Sequence, residues 1–133
     1  MRAAAGLLLV LGVSGCFGSD LGACEQRTGS GLPVEVRVVW NATAPTGPAA
    51  AACVQGYPTD AGDRVDALRV EGRADALGQA TLGLAAGHTW RLFARIATPE
   101  DKACGYTSQT VELEPDGPAT VELRLDRGQK VCA

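Results

Sequence analysis

The sequence predicts a small all-β domain: about seven short antiparallel strands packed as an immunoglobulin-like or prealbumin-like sandwich. Three observations carry this. Apolar residues alternate with polar ones over short runs. Turn residues break those runs roughly every ten positions. No window sustains the apolar period of a helix.

The strands follow in order. In Val34–Trp40, Val34, Val36, Val38 and Trp40 share one face, and Glu35 and Arg37 the other. Residues 41–48 (NATAPTGP) form a loop by their proline and glycine content. Ala49–Gln55 (AAAACVQ) is alanine-rich but short for a helix between two such loops, and reads as a strand. Residues 56–63 (GYPTDAGD) are a turn cluster, and Arg64–Gly72 fits either a strand or a helical turn. Gln79–Leu84 places Ala80, Leu82 and Leu84 on one face. After a turn at Gly87, His88–Ile96 directs Trp90, Leu92, Ala94 and Ile96 inward, with Arg91 and Arg95 outward. Thr98–Gly105 is a charged loop holding Cys104. Thr110–Glu114 and Thr120–Asp126 bury Val111 and Leu113, then Val121, Leu123 and Leu125, with Asp116-Gly117-Pro118 as the hairpin turn between them.

The chain ahead of this domain has a different character. Arg2 is followed by an apolar run over 3–13 that is too short to span a bilayer, which takes about 20 residues. Residues 1–15 therefore read as an export signal, residues 16–32 as a Gly/Ser-rich tether that Cys24 would pin near its end, and residues 33–133 as the domain. Val13-Ser14-Gly15-Cys16 resembles the lipobox of bacterial lipoproteins. That resemblance implies cleavage before Cys16, a diacylglyceryl group on its sulfur, and a membrane or outer-membrane location with the domain facing periplasm or exterior. Leu21-Gly22-Ala23-Cys24 fits the same pattern, but Asp20 separates it from the apolar run. Cysteine parity also favours Cys16: of five cysteines, acylation of Cys16 leaves Cys24, Cys53, Cys104 and Cys132, an even set able to form two disulfides in an oxidising compartment. Four cysteines allow three pairings. Proximity of the termini suggests Cys24–Cys132, with Cys53–Cys104 as the second bond.

Removing residues 1–15 takes away Arg2 and no acid, leaving eleven basic and fifteen acidic residues and a net charge of −4. The basic residues form no run. That balance argues against nucleic acid or anionic lipid as a partner, since either requires a basic face.

Asp75-Ala76-Leu77-Gly78 begins a pattern of turn, short strand Gln79–Leu84, small-residue turn Ala85-Ala86-Gly87, and a strand opening near Trp90. This resembles the core of carboxypeptidase regulatory-like and transthyretin-like sandwiches, as do the first strand and the closing pair, TVELEPDGPATVELRL. The family's usual segment after the first strand is replaced here by NATAPTGPAAAAC. The resemblance covers most of residues 33–126 and implies a non-catalytic accessory or adhesion module.

The residues offer little for chemistry. His88 is the single histidine, and no serine has a nucleophile context such as G-x-S-x-G. No Cys/His spacing suits zinc, and no cofactor is implied. Asp60, Asp63 and Asp66 recur every third residue, as a calcium loop would, but without the EF-hand pattern; turn formation explains them better. Asn41-Ala42-Thr43 matches a glycosylation sequon, a pattern too short to carry weight. Val39 and Phe93 fall out of phase, and Tyr57 and Tyr106 sit in predicted loops; packing against the domain is preferred to a contact patch. The expectation is a lipid-anchored, non-catalytic binding or structural module whose partner is a protein or a carbohydrate. The alternatives are a small extracytoplasmic enzyme, requiring a pocket with His88 beside a carboxylate and a hydroxyl, and an inhibitor-like subunit presenting a disulfide-braced loop over 97–106.

Overall fold

The computed structural model describes residues 22–41 and 47–132, with the backbone alone at Gln129. Strands make up 54% of it and helix 7%, so the all-β class holds. In chain order the elements are β1 (Leu32–Trp40), β2 (Gly47–Pro48), β3 (Cys53–Pro58), a 3₁₀ turn (Gly62–Arg64) running into α1 (Val65–Leu68), β4 (Val70–Arg73), β5 (Gln79–Leu84), β6 (Trp90–Ala97), β7 (Cys104–Ser108), β8 (Val111–Leu113) and β9 (Ala119–Cys132). The ambiguous stretch 64–72 is thus a helical turn followed by a strand. Ala49–Ala52 precedes β3 as a turn, with Ala51 at φ 66°.

The strands form one curled mixed sheet in the order β2–β1–β9–β7–β6–β3–β4, with β5 added to β1 and β8 to β6. Two expectations are corrected here. First, β1 and β9 run parallel, in register from Ala119 opposite Val34 to Leu125 opposite Trp40. The other pairings among the described residues are antiparallel. Second, Asp116-Gly117-Pro118 does not close a hairpin: β8 pairs with β6, and β9 crosses to β1. Turn residues specify a change of direction, not the neighbouring strand. The parallel register sets Val121 opposite Val36 and Leu123 opposite Val38, so the two apolar faces coincide.

Alternation places the core where the sequence predicts. Val34, Val36, Val38, Leu82, Leu84, Trp90, Leu92, Ala94, Leu123 and Leu125 are fully or almost fully buried, and Trp40, Ile96, Val111 and Leu113 pack against them half-buried. The Trp90 indole Nε1 donates to Ala85 O at 3.0 Å, so the largest core side chain leaves no polar atom unpaired. The Asp75–Gly78 turn forms as read. Asp75 Oδ1 accepts from Leu77 N and Gln79 N, and Gly78 takes φ 76°.

The curl brings β4 and β5 together, although they lie at opposite ends of the sheet path. The chain ahead of β1 stitches this seam. Arg27 and Glu71 exchange both backbone hydrogen bonds at 2.9 Å, and Gly83 N donates to Thr28 O at 2.6 Å. A Cβ on Gly83 would lie 2.7 Å from Gly31 N and 2.9 Å from Gly29 C, so the seam closes only because no side chain stands there.

The disulfide pairing is a third correction: Cys24 bonds Cys53 and Cys104 bonds Cys132, not Cys24–Cys132 and Cys53–Cys104. Cys104 is the first residue of β7, not part of a loop, and lies directly opposite Cys132 of β9, with Cα atoms 4.0 Å apart. Cys24 lies over the first residue of β3, at a Cα distance of 5.7 Å. The two ends of the domain sit over different strands, so proximity of termini misled the pairing.

Candidate functional site

Two places gather polar side chains. The first is the outward face of β4, β3 and β6, where the register aligns Arg73, Cys53 and Arg95 in one row and Glu71, Gln55 and Phe93 in the next. Glu71 is a carboxylate only 5% exposed. A buried charge of this kind requires partners. It has them: Arg69 Nη1 at 3.0 Å, Arg95 Nη2 at 3.2 Å, and the Glu25 amide, which donates to it at 3.0 Å.

The same arginines reach across to the chain ahead of β1. Arg95 Nη2 donates to Ala23 O at 2.7 Å, and its Nη1 to Gln55 Oε1 at 2.7 Å. Arg73 Nη2 donates to Gly22 O at 2.7 Å and its Nη1 to Ala51 O at 3.0 Å. Arg69 Nη2 meets Glu25 at 3.0 Å, and Arg27 Nη2 donates to Ala67 O at 2.7 Å. The guanidinium fork, with five donors in a fixed plane, suits this clamping of carbonyls and carboxylate together. With the Cys24–Cys53 bond, the cluster fastens residues 22–27 to the sheet.

Cys24, Cys53 and Glu71 form the one close group of potential metal ligands among the described residues. Its two sulfurs are bonded to each other, and its carboxylate is shared between two arginines. A cation gains nothing there.

The second place is a cleft of about 490 Å³ lined by Asn41, Thr107, Ser108, Gln109, Thr110, Arg124 and Asp126. It opens where β7, β8 and β9 part. β8 continues along β6 while β9 turns to β1. Between Leu125 and Lys130 the β9 register on β7 shifts, since these residues oppose Ser108 and Tyr106. The bulge turns Asp126 toward Asn41, whose Nδ2 donates to Asp126 Oδ1 at 2.8 Å. Gly128 N donates to the same oxygen at 2.8 Å. Arg127 lies over the Trp40 ring, 3.8 Å from its centroid, and Tyr106 meets Trp40 edge-on at 5.6 Å.

The remaining residues singled out from sequence do not converge. His88 Nδ1 lies 2.9 Å from Asp60 Oδ1, joining the two turns at one end of the domain. The hydrogen bond from His88 holds the Asp60 carboxyl below its ordinary value. The nearby Thr59 Oγ1 is bonded to Thr89 O. Asp63 lies in the 3₁₀ turn and Asp66 in α1, so the three aspartates do not share a focus. Asn41 of the sequon is bonded to Asp126, and Thr43 lies outside the described residues. Tyr57 and Tyr106 are strand residues, in β3 and β7, and both are half-buried, as are Val39 and Phe93. The loop over 97–106 is not disulfide-braced as a loop: its cysteine ties β7 to β9. Residues 1–15 and Cys16 lie outside the described residues.

Sequence reasoning missed both polar clusters. The hydrogen bonds that tie residues 22–27 to this cluster join residues 40 to 72 positions apart, and the only local signal for it was Arg95 on the outward face of a strand. In comparisons with family models, curated proteins and solved structures, the chain matched none.

Proposed function

We propose that the chain is a cell-envelope lipoprotein: it is cut before Cys16, lipid-modified on that residue, and carries a non-catalytic β-sandwich binding module at the membrane surface. The observation that carries this reading is the cysteine arithmetic. The four cysteines beyond position 16 pair among themselves, which leaves Cys16, inside Val13-Ser14-Gly15-Cys16, as the fifth. Two disulfides fit an exported, oxidising compartment. We read the curled sheet as the two layers of a prealbumin-like sandwich, joined where β9 leaves β1 for β7.

The clamp supports an anchoring role for the segment that follows. Gly22 is held by Arg73, six residues beyond Cys16. At about 3.3–3.6 Å per extended residue the intervening chain reaches at most about 22 Å. The module would ride close to the bilayer with the β3–β4–β6 face nearest the lipid. One acyl chain anchors marginally and two or more anchor stably, so diacylation at Cys16 suffices. The non-catalytic reading rests on how the polar groups are used: His88 and Asp60 pair with each other, and Glu71 and its arginines clamp backbone.

Membrane fractionation of a Cys16→Ser chain tests this. The unaltered protein should sediment with membranes and partition into detergent. The variant should remain an uncut precursor or appear in the soluble fraction. Equal membrane retention of a processed variant contradicts the proposal.

A further inference from the structure

We propose that the cleft at the fork of β7, β8 and β9 is a binding site for a neutral, hydroxyl-rich ligand, a saccharide. This deepens the reading of the domain as a binding module and does not depend on the lipid anchor. A volume of about 490 Å³ falls within the roughly 300–1,000 Å³ of small-ligand sites. Such sites are mostly apolar, whereas every side chain lining this one is polar. The surface itself is shared about equally between polar atoms and the methyl and methylene groups of these side chains, so the occupant makes hydrogen bonds and apolar contacts together.

Charge narrows the class. The lining holds one cation, Arg124, and one anion, Asp126. Each already has partners in the domain. Arg124 Nε and Nη2 both lie 2.8 Å from Glu122 Oε2, and Asp126 accepts from Asn41 Nδ2 and Gly128 N. With one cation and one anion side by side in the lining, the cleft offers no net charge to a ligand, which favours a neutral one.

The remaining donors and acceptors fit hydroxyl groups. Thr107 and Thr110 each present a hydroxyl and Gln109 an amide, and none of these side chains has a hydrogen-bond partner among the described residues. A hydroxyl both donates and accepts, and an amide offers one group of each kind. That combination matches a sugar ring, whose hydroxyls donate and accept in turn. Ser108 is excluded from this role, since its Oγ accepts from Ala94 N and donates to Gln109 O. It holds the loop that presents its neighbours. The β9 bulge has a corresponding part: Leu125 opposes Ser108 and the ladder resumes only at Lys130 opposite Tyr106, so the backbone between them bows out and brings Asp126 to the cleft.

The test uses the full chain, ¹⁵N-labelled and purified in detergent, titrated at millimolar concentration with maltotriose, chitotriose, glucose and glucuronate. At least one neutral sugar should shift the amides of Asn41, residues 107–110 and residues 124–126 while leaving residues 22–27 unmoved. Gln109→Ala combined with Thr110→Val should weaken that binding about tenfold, or about 1.4 kcal/mol. Both positions are exposed, and retention of the remaining amide pattern reports that the fold is intact. Shifts elsewhere on the surface, affinity indifferent to the double variant, tighter binding of glucuronate than of glucose, or no response to any of the four sugars would each overturn the assignment. None of these outcomes bears on the acylation of Cys16.

Discussion

Glu71 and Arg95 form a largely buried ion pair at 3.2 Å, with side-chain exposures of 6% and 16%, directly beneath the segment that carries Cys24. Glu71 belongs to β4 and Arg95 to β6, with β3 between them, so the pair spans three strands and is set by tertiary register. Its energetic weight lies in what would be orphaned: removing one partner of a buried pair costs more than the pair itself contributes.

Glu71→Ala should therefore destabilise the domain by about 3 kcal/mol, the low end for a buried pair because Arg95 keeps some contact with solvent. Arg95 loses its carboxylate, and Arg69 is left with Glu25 alone. Urea denaturation measures the change. A loss under about 1 kcal/mol would place the pair among surface bridges of little consequence.

Gly83→Ala should open the seam between β4 and β5. The new methyl would meet the backbone of Gly29 and Gly31, at a cost of about 1–3 kcal/mol for overpacking. Amide exchange at Gly83 and Arg27, both held by bonds across this seam, should accelerate ahead of the amides of β6. Uniform acceleration throughout the domain would show that the seam is not a separate unit.

Each disulfide closes a loop of similar length, with sequence separations of 29 and 28. The loop-entropy relation gives about 3.5 kcal/mol for each. Cys104→Ser with Cys132→Ser should cost close to that amount and fray the far end of β9. Cys24→Ser with Cys53→Ser should release residues 22–27 to proteolysis while β9 stays protected. Equal protease sensitivity at both ends in both variants would contradict the separation of roles.

The Asp60–His88 contact should appear as a small pH dependence. The His88 hydrogen bond lowers the Asp60 carboxyl below 3.8, its ordinary value. A depressed carboxyl contributes stability above its unfolded value, and that contribution is lost as the pH falls through the folded one. The midpoint gap between the native chain and Asp60→Asn should be visible near neutral pH and narrow as the pH falls through the carboxylate range. A gap that widened on acidification would reverse the assignment.

Much of the core was legible in sequence because period-two alternation states directly which residues face inward, as in Val34–Val38, Gln79–Leu84 and Trp90–Ala94. Alternation does not say which strands are neighbours. The parallel pairing of β1 with β9 and the loss of the expected hairpin at Asp116-Gly117-Pro118 come from non-local register. β7 was missed because Cys104-Gly105 at its start reads as loop. The clamp was illegible for a related reason: Arg95 looks like an ordinary outward-facing arginine, and Arg73 lies just past an ambiguous stretch, until the curl lays Gly22 and Ala23 across them. The cleft depends on the bulge after Leu125, where the sequence shows only continued alternation into Asp126.

The most direct test of the central claim is the mass of the amino-terminal peptide from protein isolated from the envelope and digested without reduction. A lipoprotein cut at the lipobox yields a peptide beginning at Cys16 that carries a diacylglyceryl group and is joined through Cys24 to the Cys53 peptide. An unmodified Cys16, a chain beginning at Cys24, or a disulfide that includes Cys16 would contradict it.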